Sequence, residues 1–130
     1  MANPKSEEIL SEMISFSVET IKLCQKLPLP PSVTHQITKS ITSIGANYSE
    51  AQNASSKKDF INKIYIAKKE ASETKYWLRI ILGLVGSSED LSRLTQTAQR
   101  YLMMLQKIIN VTRSPSSQQQ IANSQLMDNS

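Results

Sequence analysis

The chain has 130 residues, a length that suits a single domain. Its formal net charge of +4 permits a nucleic-acid partner without requiring one. Only three glycines and seven aromatic residues (one Trp, four Tyr, two Phe) occur, a composition that favours helices over sheets. No apolar run reaches the roughly 18 residues of a membrane span and no secretory signal is recognisable, so we expect no membrane partner.

The first predicted helix has Asn3 as its N-cap and Pro4 in its first position. Apolar residues then recur every three or four positions, as they do on one face of a helix. This stripe consists of Ile9, Met13, Phe16 or Ser17, Ile21, Cys24 and Leu27. Four further residues widen it, namely Leu10, Ile14, Val18 and Leu23. The proline-rich segment 27–31 ends the helix, because proline lacks the backbone N–H.

The second predicted helix runs from about Ser32 to Ala51 and has a narrow apolar seam, typical of helices that pack in bundles. The seam consists of Val33, Ile37, Ile41, Ile44, Tyr48 and Ala51. Several threonines occupy its other faces, so the helix is expected to depend on packing for its stability. Gly45 and Ala46 are small enough to let another backbone approach closely.

The third predicted helix begins near Lys57, because Ser56 followed three residues later by Asp59 resembles a capping box. Its main apolar stripe consists of Phe60, Ile64, Ala67, Ala71, Thr74, Leu78 and Ile81. A second stripe beside it consists of Ile66, Glu70, Glu73, Trp77 and Ile80. Two stripes predict two packing partners, one of them outside the bundle. Gly83 and Gly86 end the helix.

The fourth predicted helix begins after Ser87 or Ser88. Its core seam consists of Leu91, Leu94, Ala98, Tyr101 or Leu102, Leu105, Ile108 and Thr112, and the off-seam residues are Met103, Met104 and Ile109.

Four amphipathic helices with short connections predict an all-α, up-down-up-down four-helix bundle over residues 1–113. Residues 114–130, which are rich in Ser, Gln and Asn, are expected to form a disordered tail.

Five short segments give the chain a resemblance to a known family. They are residues 23–28, 45–47, 56–60, 66–73 and 105–109, which read LCQKLP, GAN, SKKDF, IAKKEASE and LQKII. They resemble bacterial four-helix-bundle proteins encoded by intervening sequences of large-subunit rRNA genes. The resemblance implies a closed bundle that assembles into a homopentameric ring. It also implies a relation to accessory proteins of diversity-generating retroelements, with a reverse transcriptase and its nucleic acid as expected partners.

The residues do not suggest a catalytic, metal or cofactor site. A di-metal bundle needs Glu-x-x-His motifs, but the only histidine, His35, has Ser32 three residues before it. Cys24 lies on an apolar face without a histidine or a second cysteine nearby, which favours a buried free thiol. A lone cysteine fits the reducing cytoplasm, where we expect the protein. No phosphate-binding loop or nucleophile motif is present, so we expect no enzyme activity and no cofactor.

Glu70 and Glu73 interrupt the second stripe of the third helix, and two interpretations stay open. Either the two carboxyl groups lie in a hydrated gap, or they join a partly buried polar network with Lys39 or Asn47 of the second helix. In the second case they contribute to the specificity of packing or assembly. The residues predicted for a subunit interface or polar network are Ile66, Glu70, Glu73, Trp77, Ile80 and Asn47.

Basic side chains crowd the third and fourth helices. The candidate nucleic-acid-binding residues are Lys57, Lys58, Lys63, Lys68, Lys69, Arg100 and Lys107. Such clusters either only keep a protein soluble or neutralise phosphates, which gives salt-sensitive binding with little sequence selectivity. Stacking of bases on Tyr76 or Trp77 is not expected, because adjacent residues point to different faces of a helix.

These patterns lead to two hypotheses about function. The first is a non-enzymatic, ring-forming bundle that binds RNA, DNA or a nucleic-acid enzyme such as a reverse transcriptase through its basic faces. Five chains of +4 each would give a pentamer a charge of +20, which favours electrostatic capture of nucleic acid. The alternative is a protein-interaction or scaffold module that does not bind nucleic acid.

Overall fold

Four α-helices form the protein in the computed structural model, which describes residues 4–114. Their bounds are α1 (Pro4–Lys26), α2 (Pro31–Ala51), α3 (Lys57–Val85) and α4 (Glu89–Arg113). Links of three to five residues make consecutive helices antiparallel neighbours, so the predicted all-α, up-down-up-down bundle is confirmed. The predicted N-cap Asn3 and, apart from Ser114, the predicted tail 114–130 lie outside the described residues.

The helices are arranged in chain order around the bundle. The helix α2 packs against α1 and α3, and α3 packs extensively against α4 as well. The contact between α1 and α4 is much smaller, so the bundle is closed least tightly on that side. One aromatic contact bridges this side, because the rings of Phe16 and Tyr101 meet edge to face with their centroids 5.5 Å apart.

The starts of α3 and α4 follow the capping signals of the sequence and α3 ends before Gly86, but Gly83, also predicted to end this helix, lies within it. The Ser56 hydroxyl accepts a hydrogen bond from the Asp59 N–H at 3.0 Å, which begins α3 as predicted. The Asp59 carboxylate reaches one residue further back than an ordinary capping box and accepts from the N–H of Ser55. Ser88 caps α4, and Gly86 ends α3 with a positive φ of 89° that favours glycine.

The cores of α2 and α3 agree closely with their predicted stripes. All six predicted seam residues of α2 are buried, and only Phe60 of the α3 stripe is less than fully buried. In α1, the buried residues include Thr20, which the apolar pattern missed, while Ile9, Ile21 and Leu27 are only partly buried.

The prediction for the end of the α4 seam was wrong after Leu105. Ile109, which was assigned outside the seam, is buried, whereas Ile108 and Thr112 are only partly buried. The reason is the 3.6-residue period of the helix. After Leu105 the seam advances by four residues rather than three, which keeps the buried face turned towards the rest of the bundle.

A buried polar contact joins the centres of α2 and α3. The hydroxyl oxygens of Ser40 and Thr74 lie 2.8 Å apart, and both residues are almost fully buried. The Ser40 hydroxyl also lies 3.3 Å from the carbonyl oxygen of Ile37, to which it can donate. A hydrogen bond between two buried hydroxyls specifies the register of the two helices, because sliding either helix would leave the buried Thr74 hydroxyl without this partner.

Removing one hydroxyl of this pair is expected to destabilise the protein. Ser40→Ala leaves the Thr74 hydroxyl buried without its partner, which should lower the free energy of unfolding by about 1–3 kcal/mol. The double variant Ser40→Ala/Thr74→Val removes both groups, so its loss should be smaller than the sum of the two single losses. Urea denaturation followed by circular dichroism measures all three values.

Thr42→Val is the matched control, because the exposed Thr42 hydroxyl bonds only to backbone carbonyls of its own helix. We expect that change to alter the free energy of unfolding by no more than about 0.5 kcal/mol. Additive losses at Ser40 and Thr74 would show that the two hydroxyls do not act together.

Candidate interaction surfaces

The lysines of α3 that face α4 are held by neutral acceptors. The Lys68 ammonium group donates to the side-chain oxygen of Gln106 at 2.6 Å, and that of Lys75 donates to Gln99 at 2.7 Å. A glutamine oxygen fixes the position of an ammonium group without cancelling its charge. Both positive charges therefore remain available to an anionic partner.

The exposed basic residues nearby add to this surface. Lys57, Lys58 and Lys69 of α3 are exposed, as are Lys107 and Arg113 of α4. Within residues 4–114, none of the five has a carboxylate within ion-pair distance. We refer to the surface formed by these five residues together with Lys68 and Lys75 as the α3–α4 face.

Two other basic side chains are already paired. Lys63 lies 3.0 Å from the Glu50 carboxylate of α2, and this hydrogen bond raises the pKa of Lys63. Arg93 forms ion pairs with Glu19 of α1 and Asp90 of its own helix, and these contacts raise its pKa. Lys63 was predicted to bind nucleic acid, but its positive charge is partly neutralised on the α2 side of α3.

The candidate Arg100 lies apart from the lysines of α3. Together with Arg93, Glu12 and Glu19 it lines a groove of about 460 Å³ between α1 and α4, and it donates to the Thr97 hydroxyl. Its spacing of seven residues from Lys107 places both on one side of α4. Of these two residues, only Arg100 lines the groove beside the acidic side chains of α1, and Lys107 does not.

The charge of the protein is strongly segregated between its helices. The helix α3 carries seven basic and three acidic residues, and α4 carries four and two, which gives this half a net charge of +6. The helix α1 carries three basic and four acidic residues, and α2 carries one of each, which gives that half −1. Nearly all of the positive field therefore arises from the α3–α4 half.

The second stripe of α3 lies on the flank that faces α2. Trp77 and Ile80 are partly buried and pack against the core, Ile66 is half-buried, and Glu73 is exposed. The Trp77 ring meets the Tyr76 ring edge to face at 5.1 Å, and its indole N–H is buried without an acceptor among the described residues. Part of this stripe thus packs within the bundle, and its contact with another chain stays a prediction.

The carboxyl groups of Glu70 and Glu73 lie close together on this flank. Burial raises the pKa of Glu70, and the Glu73 charge adds to the effect, while the charges of Lys69 and Lys39 oppose it. The side-chain amide of Asn47 instead donates to the backbone of Ser43 in its own helix, at 2.9 Å. Of the two partners considered for these carboxylates, the structure places only Lys39 near Glu70.

An uncharged groove of about 420 Å³ runs between α1 and α2. It is lined by Leu10, Met13, Ile14, Ser17, Val18, Ile21, Thr42, Gly45, Ala46 and Ser49. Ile14 is 54% exposed and Val18 is 46% exposed, which is unusual for branched aliphatic residues. A side chain at Gly45 would contact Met13 and Leu10 of α1, so this glycine lets α1 pack closely, whereas the small Ala46 is exposed in the groove. We call this surface the α1–α2 groove.

The sequence pattern placed Ile14 and Val18 of this groove only in the widening of the α1 stripe. The signal was present, because Ile14 and Val18 lie too far round α1 to point into the same core as Met13 and Phe16. A stripe wider than one packing face indicates a second contact surface.

The part of the chain that the structure describes shows neither a metal-binding cluster nor a membrane-spanning helix. Within residues 4–114, no three histidine, cysteine, aspartate or glutamate side chains form a group that could hold a metal ion. The His35 side chain is exposed, and burial raises the pKa of the Cys24 thiol. None of the four helices is both long and apolar enough to cross a membrane.

Comparison with known proteins assigns the fold to a family. The family model described as 23S rRNA-intervening sequence protein matches residues 5–107, which include nearly all of the bundle. The chain belongs to this family. A similar solved structure is the crystal structure of a protein of unknown function from the S23 ribosomal protein family of Bacteroides thetaiotaomicron. The two sequences are 33% identical, and the two structures superpose with a TM-score of 0.70. The match covers 82% of this chain and 98% of that chain. No curated protein matches the chain.

The likeness covers the surfaces described above. The 23S rRNA-intervening sequence match includes all of α2 and α3, and therefore the lysines of α3 and the α2 side of the α1–α2 groove. Of the four helices, Pro4 of α1 and the last six residues of α4, including Arg113, lie beyond it.

Glu70→Gln is expected to stabilise the protein at pH 7. Because the folded state raises the pKa of Glu70 above the ordinary value of 4.5, it binds this proton more tightly than the unfolded chain does. The free energy of unfolding therefore falls as the pH rises from that ordinary value through the folded pKa. The glutamine carries no charge, so the variant should melt at a higher temperature than the parent at pH 7 and lose this advantage below about pH 4. Thermal melting at a series of pH values measures the difference.

A lower melting temperature for Glu70→Gln at pH 7 would contradict this expectation. It would mean that the ionised carboxylate is held by a favourable partner such as Lys39. Glu73→Gln serves as a second variant, because it removes the neighbouring charge and should also reduce the pH dependence that Glu70 causes.

Proposed function

We propose that the protein is a non-enzymatic helical bundle that binds nucleic acid through the α3–α4 face. The observation that carries this proposal is the set of positive charges left uncompensated there. Lys68 and Lys75 are positioned by glutamines, and the exposed basic residues beside them have no carboxylate partner within residues 4–114. Ammonium groups that are already held in position lose less side-chain entropy when they contact a phosphate.

The physical basis of binding is the neutralisation of phosphates. Lysine and arginine side chains displace the counterions of a nucleic acid, so the affinity falls steeply as the salt concentration rises. A protein reads base edges by placing a helix or strand in a groove of the duplex, or by binding the splayed bases of a single strand. Basic side chains alone do neither. Affinity for many sequences is therefore expected. The family description refers to 23S rRNA, which makes a structured RNA a suitable first probe.

Self-association is the second part of the proposal, with the α1–α2 groove as the contact between copies. The groove contains no charged residue, so a nucleic acid has little to bind there. A second copy of the chain offers the complementary apolar surface that Ile14 and Val18 require. The resemblance noted for the sequence makes a homopentameric ring the proposed assembly, with five α3–α4 faces and a total charge of +20.

A nucleic-acid enzyme such as a reverse transcriptase is the proposed protein partner. The support for this part is the resemblance to retroelement accessory proteins together with the two separate surfaces of the bundle. A scaffold module that does not bind nucleic acid is the alternative, and the exposed α1–α2 groove is the observation that favours it. Nucleic-acid binding distinguishes the two functions.

Binding to a labelled structured RNA and to a DNA duplex is expected to be micromolar or tighter at about 50 mM salt and much weaker at about 200 mM. Lys68→Glu/Lys69→Glu reverses two charges of the α3–α4 face. If both lysines contact phosphates, the slope of log affinity against log salt should decrease by about 1.4–1.8. Fluorescence anisotropy at several salt concentrations measures both quantities.

Lys22→Glu/Lys26→Glu is the matched control, because it makes the same change in charge on α1. That variant should keep the salt slope of the parent. Equal losses in the two variants would assign the binding to net charge rather than to the α3–α4 face. If the parent protein binds neither probe at the lower salt concentration, the scaffold function is supported instead.

Ile14→Asp is expected to dissociate the proposed assembly, because it places a carboxylate in the α1–α2 groove. Light scattering at micromolar concentration should give the parent a mass several times the chain mass of 14.6 kDa, and the variant a mass close to that of one chain. Met103→Asp is the control, since Met103 is 60% exposed on α4, away from the groove. A monomeric parent protein would exclude self-association at this concentration.

A further inference from the structure

We infer that a recess where α3 begins and α4 ends holds an unpaired base of a bound single strand, an inference that rests on the proposed nucleic-acid binding of the α3–α4 face. The recess has a volume of about 600 Å³, within the usual range for small-molecule sites. Residues of the first turns of α3 and the last residue of α4 line it. They include Lys58, Asp59, Ile61, Asn62, Tyr65 and Arg113.

Tyr65 provides the surface on which a base can stack. Its side chain is 45% exposed, although a tyrosine ring gains free energy when it is covered. The Lys68 ammonium group lies over one face of the ring, 5.1 Å from its centroid, and is itself held by Gln106. This contact orients the ring, and the ring surface that stays exposed in the recess is where a base can stack.

Two cations lie where the phosphates beside that base would be. Lys58 precedes Tyr65 by seven residues, about 10 Å along the helix axis, and Arg113 enters the recess from α4. Neither has an ion-pair partner in the described part of the chain. The one acidic side chain, Asp59, accepts the N–H of Ser55 in the helix cap, so the recess has a net positive charge.

The remaining wall suits a nucleobase as well. Ile61 provides an apolar contact, and the Asn62 side-chain amide can both donate to and accept from a base edge. In a duplex, both faces of each base are covered by neighbouring bases. Only a single strand, a loop or a frayed end can therefore place a base against Tyr65. The recess thus adds a preference for unpaired nucleic acid to the general attraction of the basic face.

The test compares single-stranded and duplex probes with variants of Tyr65. The probes are fluorescein-labelled oligomers of uridine and of thymidine, each with about 12 nucleotides, and a DNA duplex of the same length. Tyr65→Ala should weaken binding of both single strands by about fivefold or more, because it removes one stacked base. The duplex affinity should stay within about twofold. Tyr65→Phe keeps the aromatic face and should bind like the parent.

Tyr76→Ala is the matched control, because Tyr76 is 55% exposed on the same helix and does not line the recess. It should bind single strands like the parent. Lys58→Gln/Arg113→Gln should weaken both single strands and duplex and lower the salt slope. Circular dichroism of each variant checks that the fold is retained.

Several results would overturn the inference while leaving the proposed function intact. In the first, Tyr65→Ala binds the single strands with the affinity of the parent. In the second, Tyr65→Ala loses as much affinity for the duplex as for the single strands. In the third, Tyr65→Phe binds the single strands as weakly as Tyr65→Ala does. A parent protein that binds neither the single strands nor the duplex would overturn the proposed function itself.

Discussion

The packing of α3 between α2 and α4 is the constraint on which the rest of the structure depends. The inward face of α3 consists of Ile64, Leu78 and Ile81 around a centre of small residues, Ala67 and Ala71. Short side chains at the centre let neighbouring helices approach closely, and the larger side chains on either side of them complete the buried face. The hydrogen bond of Thr74 then selects one register against α2.

This packing also determines where the charges of the protein lie. Because the inward face of α3 is occupied by core residues, its seven basic residues must lie on its flanks and outer side. The flank that faces α2 meets Glu50, which pairs with Lys63, whereas the flank that faces α4 meets Gln99 and Gln106. A difference between carboxylate and amide acceptors on the neighbouring helices therefore makes one side of α3 an electropositive surface and leaves the other partly neutralised.

The two surfaces of the bundle can act at the same time. The helices follow chain order around the bundle, so the side formed by α1 and α2 lies opposite the side formed by α3 and α4. The apolar groove and the positive charge are thus on opposite sides. A bundle that assembled through the groove would keep its α3–α4 face exposed. The weaker contact between α1 and α4 depends on one aromatic pair and on polar side chains such as Arg93.

The sequence by itself determined the number of helices, most of their ends and the core of the two central helices. Ser56, Gly86 and the prolines after Leu27 act within one or two turns of the chain, and the seam of α2 has a period that only a helix can use. Local chemistry of this kind does not depend on the neighbours of a helix. The end of the α4 seam was mispredicted at Ile109. The sequence does not decide whether the seam continues three or four residues after Leu105, because this depends on how α4 packs against the other helices.

The tertiary structure alone decided which of the predicted site residues lie together. Lys63 and Lys68 look equivalent in the sequence, but one meets a glutamate and the other a glutamine, because they project to opposite flanks of α3. The recess at Tyr65 likewise requires Arg113, which is 48 residues further along the chain. Periodicity predicts which face of a helix is buried, but the partner of each surface side chain depends on the rotation and register of the neighbouring helices, which long-range packing determines.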